Sequence, residues 1–157
     1  MVGSPGGASR RVVGRDEERT LLLDAVRGAV EGWPCAVFVH GEAGAGKTSL
    51  VREVGDITAS DGVAVLWGRC VRFGAVESTY LPLVMAIEGW LDSADVAERA
   101  RILEGLTGAP QVLPSLGGDG GADPVRLLPI VESLLMRIAS EHPTLLVVPA
   151  TARSSLA

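Results

Sequence analysis

The residues best suited to chemistry lie in one stretch, 41–48, which contains Lys47, the only lysine of the 157-residue chain. Every other basic side chain except two histidines is an arginine, 13 in all. A compact ammonium on a flexible stem can reach between oxygen atoms where a planar guanidinium cannot. The stretch has the spacing Gly, four residues, Gly, Lys and then Ser or Thr, which is typical of loops that hold phosphate groups. It consists of Gly41, Glu42, Ala43, Gly44, Ala45, Gly46, Lys47 and Thr48.

This spacing predicts a role for each part of the loop. Glycines at 41, 44 and 46 let the backbone adopt conformations that other residues disfavour, so that successive N–H groups turn toward one anion. Lys47 is then expected to contact the outer phosphates of a nucleotide such as ATP, and the Thr48 hydroxyl to bind Mg²⁺. The alternative is an ordinary glycine-rich turn with one exposed lysine.

The residues around the loop predict the elements that position it. Residues 35–40 are apolar and β-forming, as in a strand buried on both faces of a parallel sheet, and apolar spacing after the loop predicts a helix. Two further strands and four further helices are predicted by the same patterns. The strands are 63–68 and 144–148; the helices are 16–30, 81–91, 93–106 and 124–140. Alternating strands and helices predict an α/β fold with a parallel sheet and flanking helices.

Glycine and proline content divides the chain further. Residues 1–11 are predicted to be a flexible leader, and 12–148 a domain. Within the domain, residues 105–123 contain six glycines and two prolines, which predicts a mobile linker rather than packed structure. Residues 149–157 are predicted to be an irregular tail.

Composition limits the classes of function. The net charge is -5, and no arginine-rich run extends beyond Arg10 and Arg11, so direct contact with nucleic acid is not expected. No uninterrupted apolar run approaches the length of a membrane span, and the N-terminus lacks an apolar signal segment, so a cytoplasmic protein is expected. Cys35 and Cys70 each lie beside a predicted strand and are interpreted as core or near-core thiols.

Taken together, five segments resemble the AAA-like ATPase module, a P-loop NTPase, of LuxR-type transcriptional regulators and related signal-transduction ATPases. The segments are 13–17, 41–48, 65–70, 80–83 and 142–148, so the resemblance covers residues 12–148. It implies a P-loop NTPase-type sheet that binds ATP and Mg²⁺. It also implies that Val13, Gly14 and Arg15 lie near the adenine. The alternative for these three residues is a simple helix start.

The chain departs from this family after its last strand. In the family this strand ends in one or two acidic residues that help to hold magnesium and polarise the attacking water. Here Val148 is followed by Pro149, and the last acidic residue, Glu141, precedes the strand, roughly 20 Å from the required position at about 3.3 Å per residue. We therefore expect nucleotide binding with severely impaired hydrolysis, and no catalytic residue is assigned.

Strand count leads to a second expectation. In the family, strands that come later in the chain flank the strand of residues 35–40. With three predicted strands, the sheet would be incomplete, leaving either a gap or an unusual pairing of 35–40 with 144–148. The chain is therefore expected to be the N-terminal part of a larger protein. Self-association through an unpaired sheet edge is a further expectation.

Two other readings remain open. The first is a complete small P-loop kinase acting on a nucleotide or small molecule, with Arg69, Arg72 and Arg101 as available cations. The second is a non-enzymatic interaction fragment. A GTPase is disfavoured because reading guanine in that class needs a second lysine.

Overall fold

The structure is a computed structural model that describes residues 14–68, 81–113 and 124–148. These residues form two compact units, one ending at Val63 and the other beginning at Ala64. In these residues two helices precede the first strand and four helices separate it from the second, and the sheet is parallel and open. The predicted fold class, an incomplete P-loop NTPase-type sheet with flanking helices, is confirmed.

The first unit contains two helices that pack on each other, α1 (Asp16–Val30) and α2 (Lys47–Ser60). Helix α1 has the predicted bounds, and three acidic residues occupy its first turn, where they complement the helix dipole. None of its residues is fully buried, however, and Leu21 is 70% exposed. In α2, Leu50 and Val54 are buried, as the spacing predicted for a core-facing side.

The first unit lacks the strand predicted over residues 35–40. These residues have no regular secondary structure, and all are exposed, with Phe38 at 88%. A strand is stabilised by hydrogen bonds and packing from a neighbouring strand. Among the described residues, no strand pairs with this segment, so its β-forming side chains alone do not make it a strand. For the same reason the interpretation of Cys35 as a core thiol is wrong, because the residue is exposed.

The second unit is built on two parallel strands, β1 (Ala64–Trp67) and β2 (Thr144–Val147), paired in register from Ala64 and Thr144 onward. Backbone hydrogen bonds from Ala64 N to Pro143 O and from Gly68 N to Val147 O extend the ladder at both ends, each at 2.8 Å. A Cβ at Gly68 would lie 3.0 Å from the backbone oxygen of Pro82 and 3.1 Å from that of Val147. These tight contacts favour glycine directly after the strand.

Four helices accompany these strands in the described residues. They are α3 (Leu81–Ser93), α4 (Val96–Leu103), α5 (Ala109–Val112) and α6 (Pro124–Glu141). Helix α4 begins later than predicted because Asp95 caps it, accepting a 2.8 Å hydrogen bond from the Glu98 N–H. An Asp N-cap of this kind satisfies one of the amides left unpaired at a helix start.

The core of the second unit lies between strand β1 and helices α3 to α6. Its most buried large side chains include Leu66, Ile87, Leu91, Ile102, Leu134 and Ile138. Four apolar residues of α6, Leu127, Val131, Leu134 and Ile138, are in this core, but Leu128 is 45% exposed. Residues 105–113, predicted as part of a mobile linker, differ from expectation, since Ala109, Val112 and Leu113 are buried here. Their apolar side chains outweigh the glycine and proline content that suggested a linker.

Several predicted features lie outside the described residues. They are the leader 1–11, Val13, residues 69–80 with Cys70, Arg69 and Arg72, the remainder of the linker at 114–123, and the tail 149–157. Across the part of the chain that is described, no helix is both long and apolar enough to cross a membrane.

Candidate functional site

The backbone of the loop at residues 41–46 depends on glycine at three positions. Gly41, Gly44 and Gly46 have φ angles of 151°, 79° and 78°. Residues with a Cβ rarely adopt these angles, and the described residues contain no non-glycine residue with positive φ. The three glycines thus have the positive φ angles that the loop pattern predicts.

Lys47 folds back over this loop. It is the first residue of α2, and its Nζ donates hydrogen bonds to the carbonyl oxygens of Gly41, at 2.8 Å, and Glu42, at 2.7 Å. The ammonium is thus held beside the start of the loop instead of extending into solvent. An ammonium has three N–H donors, so these two contacts do not exhaust it.

The start of α2 carries an uncompensated positive end. No acidic residue lies in its first turn, and no side chain caps it. The first amides of a helix have no acceptor within the helix, and they coincide with the positive end of the helix dipole. By contrast, α1 places Asp16, Glu17 and Glu18 in its first turn. Of the two helices in this unit, α2 is therefore the one suited to an external anion, and Thr48 is exposed there.

A buried ion pair holds α2 against α1. Arg19 Nη1 lies 3.1 Å from Glu53 Oε1, and Arg19 Nη2 lies 2.8 Å from Asp16 Oδ1. The Glu53 side chain is only 6% exposed. Burying a carboxylate is unfavourable unless it is paired, so this contact favours one placement of the two helices. This ion pair was not predicted from the sequence. A glutamate between Leu50 and Val54, on the buried side of α2, could have indicated it.

Gly14 and Arg15 lie at the start of α1. Gly14 has a φ of 82° and Arg15 is the N-cap residue of the helix. Arg15 Nη1 lies 3.5 Å from Glu18 Oε1, and the Arg15 carbonyl oxygen accepts a hydrogen bond from the Arg19 N–H at 3.0 Å. These contacts, all within the first unit, are the ones expected of residues that begin a helix.

The acidic residue nearest to strand β2 in the sequence, Glu141, precedes the strand. Glu141 closes α6 just before the strand and forms an ion pair with Arg101 at 3.1 Å. The hydrogen bond and the charge of Glu141 raise the pKa of Arg101 above its ordinary value. At the other end, Val148 is half exposed and is followed in sequence by Pro149. Residues 149–157 of the sequence contain no carboxylate.

A glycine loop leading into a helix that begins Lys-Thr, in a chain with an open parallel α/β sheet, defines a nucleotide-binding domain of the P-loop NTPase class. The family model described as the AAA ATPase domain matches residues 11–149. The chain therefore belongs to the AAA ATPase domain family, which implies nucleotide binding, usually with Mg²⁺. Comparisons with curated proteins and with solved structures gave no match.

Proposed function

We propose that this chain binds ATP·Mg²⁺ at residues 41–48 and hydrolyses it poorly or not at all. The observation that carries this proposal is the Lys47 ammonium, held over a loop whose three glycines have positive φ angles. The binding residues are Gly41, Glu42, Ala43, Gly44, Ala45, Gly46, Lys47 and Thr48. Backbone N–H groups of the loop and of the α2 start contact phosphate oxygens.

Two side chains complete the proposed phosphate site. Lys47 exchanges at least one carbonyl contact for an oxygen of the outer phosphates, which is a stronger, charge-assisted bond. Thr48, exposed in the first turn of α2, supplies its hydroxyl to Mg²⁺. Val13, Gly14 and Arg15 remain a weaker proposal for the adenine side, since Arg15 already contacts Glu18.

Poor hydrolysis is proposed from the sequence after β2. A carboxylate at that position would help to place the metal and the attacking water, and the sequence has Pro149 there instead. The resemblance further supports a regulatory role like that of the ATPase module in LuxR-type regulators. In that role the binding of nucleotide, and not its hydrolysis, would regulate the protein.

A turnover assay tests this proposal. With Mg²⁺ and ATP in excess, we expect phosphate release by the native chain to be no faster than by Lys47→Ala, which serves as the background. Mg²⁺-dependent release well above that of Lys47→Ala would contradict impaired hydrolysis. Transfer of phosphate from ATP to a nucleotide or small-molecule acceptor would instead favour the kinase reading.

We also propose self-association through residues 35–40. The segment exposes Val37, Phe38 and Val39, and its backbone polar groups are not part of any sheet in the described residues. An exposed β-forming segment of this kind is prone to pair with another chain. Sedimentation velocity over a range of protein concentrations would reveal it.

A further inference from the structure

A cluster of metal-binding side chain types lies in the second unit, apart from the phosphate loop in sequence and chemistry. It comprises Glu98 from α4, Glu141 from the end of α6, and His142 from the turn that leads into β2. One potential ligand atom from each residue lies within 4.8 Å of the other two. We propose that these three residues form a binding site for a divalent transition metal, with Zn²⁺ as the best-suited ion.

The ligand types determine the class of metal. An imidazole nitrogen and two carboxylate oxygens suit Zn²⁺, whereas Mg²⁺ and Ca²⁺ prefer oxygen ligands alone. Three protein ligands leave a fourth tetrahedral position for water. This combination differs from the Mg²⁺ site proposed at Thr48, which has a hydroxyl and phosphate oxygens.

The pair formed by His142 and Glu98 requires only a small adjustment to hold a metal ion. His142 Nε2 lies 2.5 Å from Glu98 Oε1, which is a hydrogen-bond distance. Ligands of a tetrahedral zinc with bonds of about 2.0–2.1 Å are separated by about 3.3 Å. The metal would replace the shared proton, and the pair would open by under about 1 Å. The side chain of Glu98 is 17% exposed and that of His142 is 34% exposed. Both therefore have room for this shift and are accessible to an ion.

Surrounding contacts help to position His142 and Glu98. The backbone N–H of His142 donates to the Ile138 carbonyl oxygen at 2.9 Å, and the Trp90 ring meets the imidazole edge-on with 5.9 Å between centroids. The backbone of Glu98 is fixed by the Asp95 cap.

Arg101 acts as an outer partner of the third ligand. Its Nε and Nη2 atoms both contact Glu141 Oε2, at 3.3 and 3.1 Å. Hydrogen-bonded partners of this kind commonly support metal-ligating carboxylates. The ion pair is therefore compatible with a bound metal.

A bound metal would link three elements of the second unit, α4, α6 and the start of β2. Because it binds the folded arrangement, saturating Zn²⁺ should raise the melting temperature of the protein. We therefore expect the bound metal to stabilise the folded second unit.

Zinc titration calorimetry of the whole chain tests the proposal. We expect one equivalent of Zn²⁺ to bind, with affinity at least tenfold lower in Glu98→Gln, Glu141→Gln and His142→Asn. The chain offers a matched control, because its second histidine, His40, lies outside the cluster. His40→Asn should bind Zn²⁺ as the native chain does. Far-UV circular dichroism establishes that each variant is folded, and if His142→Asn is not, the two glutamine variants decide the result.

A second readout locates the metal. Co²⁺ bound beside His142 should quench the fluorescence of Trp90, so Trp90→Phe should abolish most of the quenching while Trp33→Phe retains it. Absence of Zn²⁺ binding by the native chain would overturn the proposal. So would undiminished affinity in the folded ligand variants, or loss of binding in His40→Asn.

Discussion

Two segments of similar composition adopt different structures in this protein. Residues 35–40 and strand β2 (Thr144–Val147) are both short, apolar and rich in β-forming side chains. Strand β2 pairs with β1 along its whole length, whereas residues 35–40 form no regular structure and are exposed. A strand therefore depends on a neighbour at least as much as on its own residues.

The phosphate loop directly after residues 35–40 behaves differently from them. Its positive-φ glycines, its lysine contacts and the start of α2 are all formed. Each of these features involves residues within a few positions of one another. Local geometry can thus be complete where long-range pairing is not, and the following predictions test this contrast.

The largest expected effect concerns the packed core of the second unit. Leu134 on α6 is fully buried, so Leu134→Ala should lower the free energy of unfolding by about 3 kcal/mol. Met136 on the same helix is 67% exposed, and Met136→Ala should change it by less than about 0.5 kcal/mol. Urea denaturation followed by tryptophan fluorescence measures both. Equal effects would mean that α6 does not pack as described.

A smaller effect on stability is expected when a glycine is replaced by alanine. Its sign should differ between Gly46 in the first unit and Gly89 in the second. Gly46 has a φ of 78°, so Gly46→Ala should cost about 1–2 kcal/mol in stability or distort the loop. Gly89 lies exposed in α3 with open space around its Cβ position, so Gly89→Ala should stabilise by about 0.5–1 kcal/mol. Thermal unfolding compares the two. A Gly46→Ala variant as stable as the native chain, with unchanged ATP affinity, would argue against a loop built on positive φ.

The smallest effect on stability is expected at Phe38. This side chain is 88% exposed, so Phe38→Ser should change the free energy of unfolding by less than about 0.5 kcal/mol. The same substitution should weaken any self-association seen in sedimentation velocity. Leu21→Ser is the control, because Leu21 is 70% exposed but lies on α1. If both substitutions weaken association equally, residues 35–40 are not the specific contact.

Sequence patterns predicted most helices closely, because apolar spacing and capping are local. The bounds of α1 agree fully, and α4 starts late only because Asp95 caps it. The same patterns failed where burial depends on distant neighbours. Cys35 is exposed without a paired strand, and Leu113 is buried despite its glycine-rich surroundings.

The candidate phosphate site was predictable because its motif encodes a local backbone shape. The contact of Arg19 with Glu53 was not predicted, since it joins residues 34 positions apart. The cluster of Glu98, Glu141 and His142 was missed for the same reason, as α4 and α6 meet only in the folded unit.

The central claim is that Lys47 and its loop bind a nucleotide, and calorimetric titration with ATP·Mg²⁺ tests it most directly. The native chain should bind, and Lys47→Ala should bind about 10- to 100-fold more weakly, because a charge-assisted hydrogen bond contributes about 1.5–3 kcal/mol. Arg52→Ala, which removes an exposed cation of α2 outside the loop, should leave the affinity nearly unchanged. An affinity in Lys47→Ala equal to that of the native chain, or no binding by the native chain, would contradict this account.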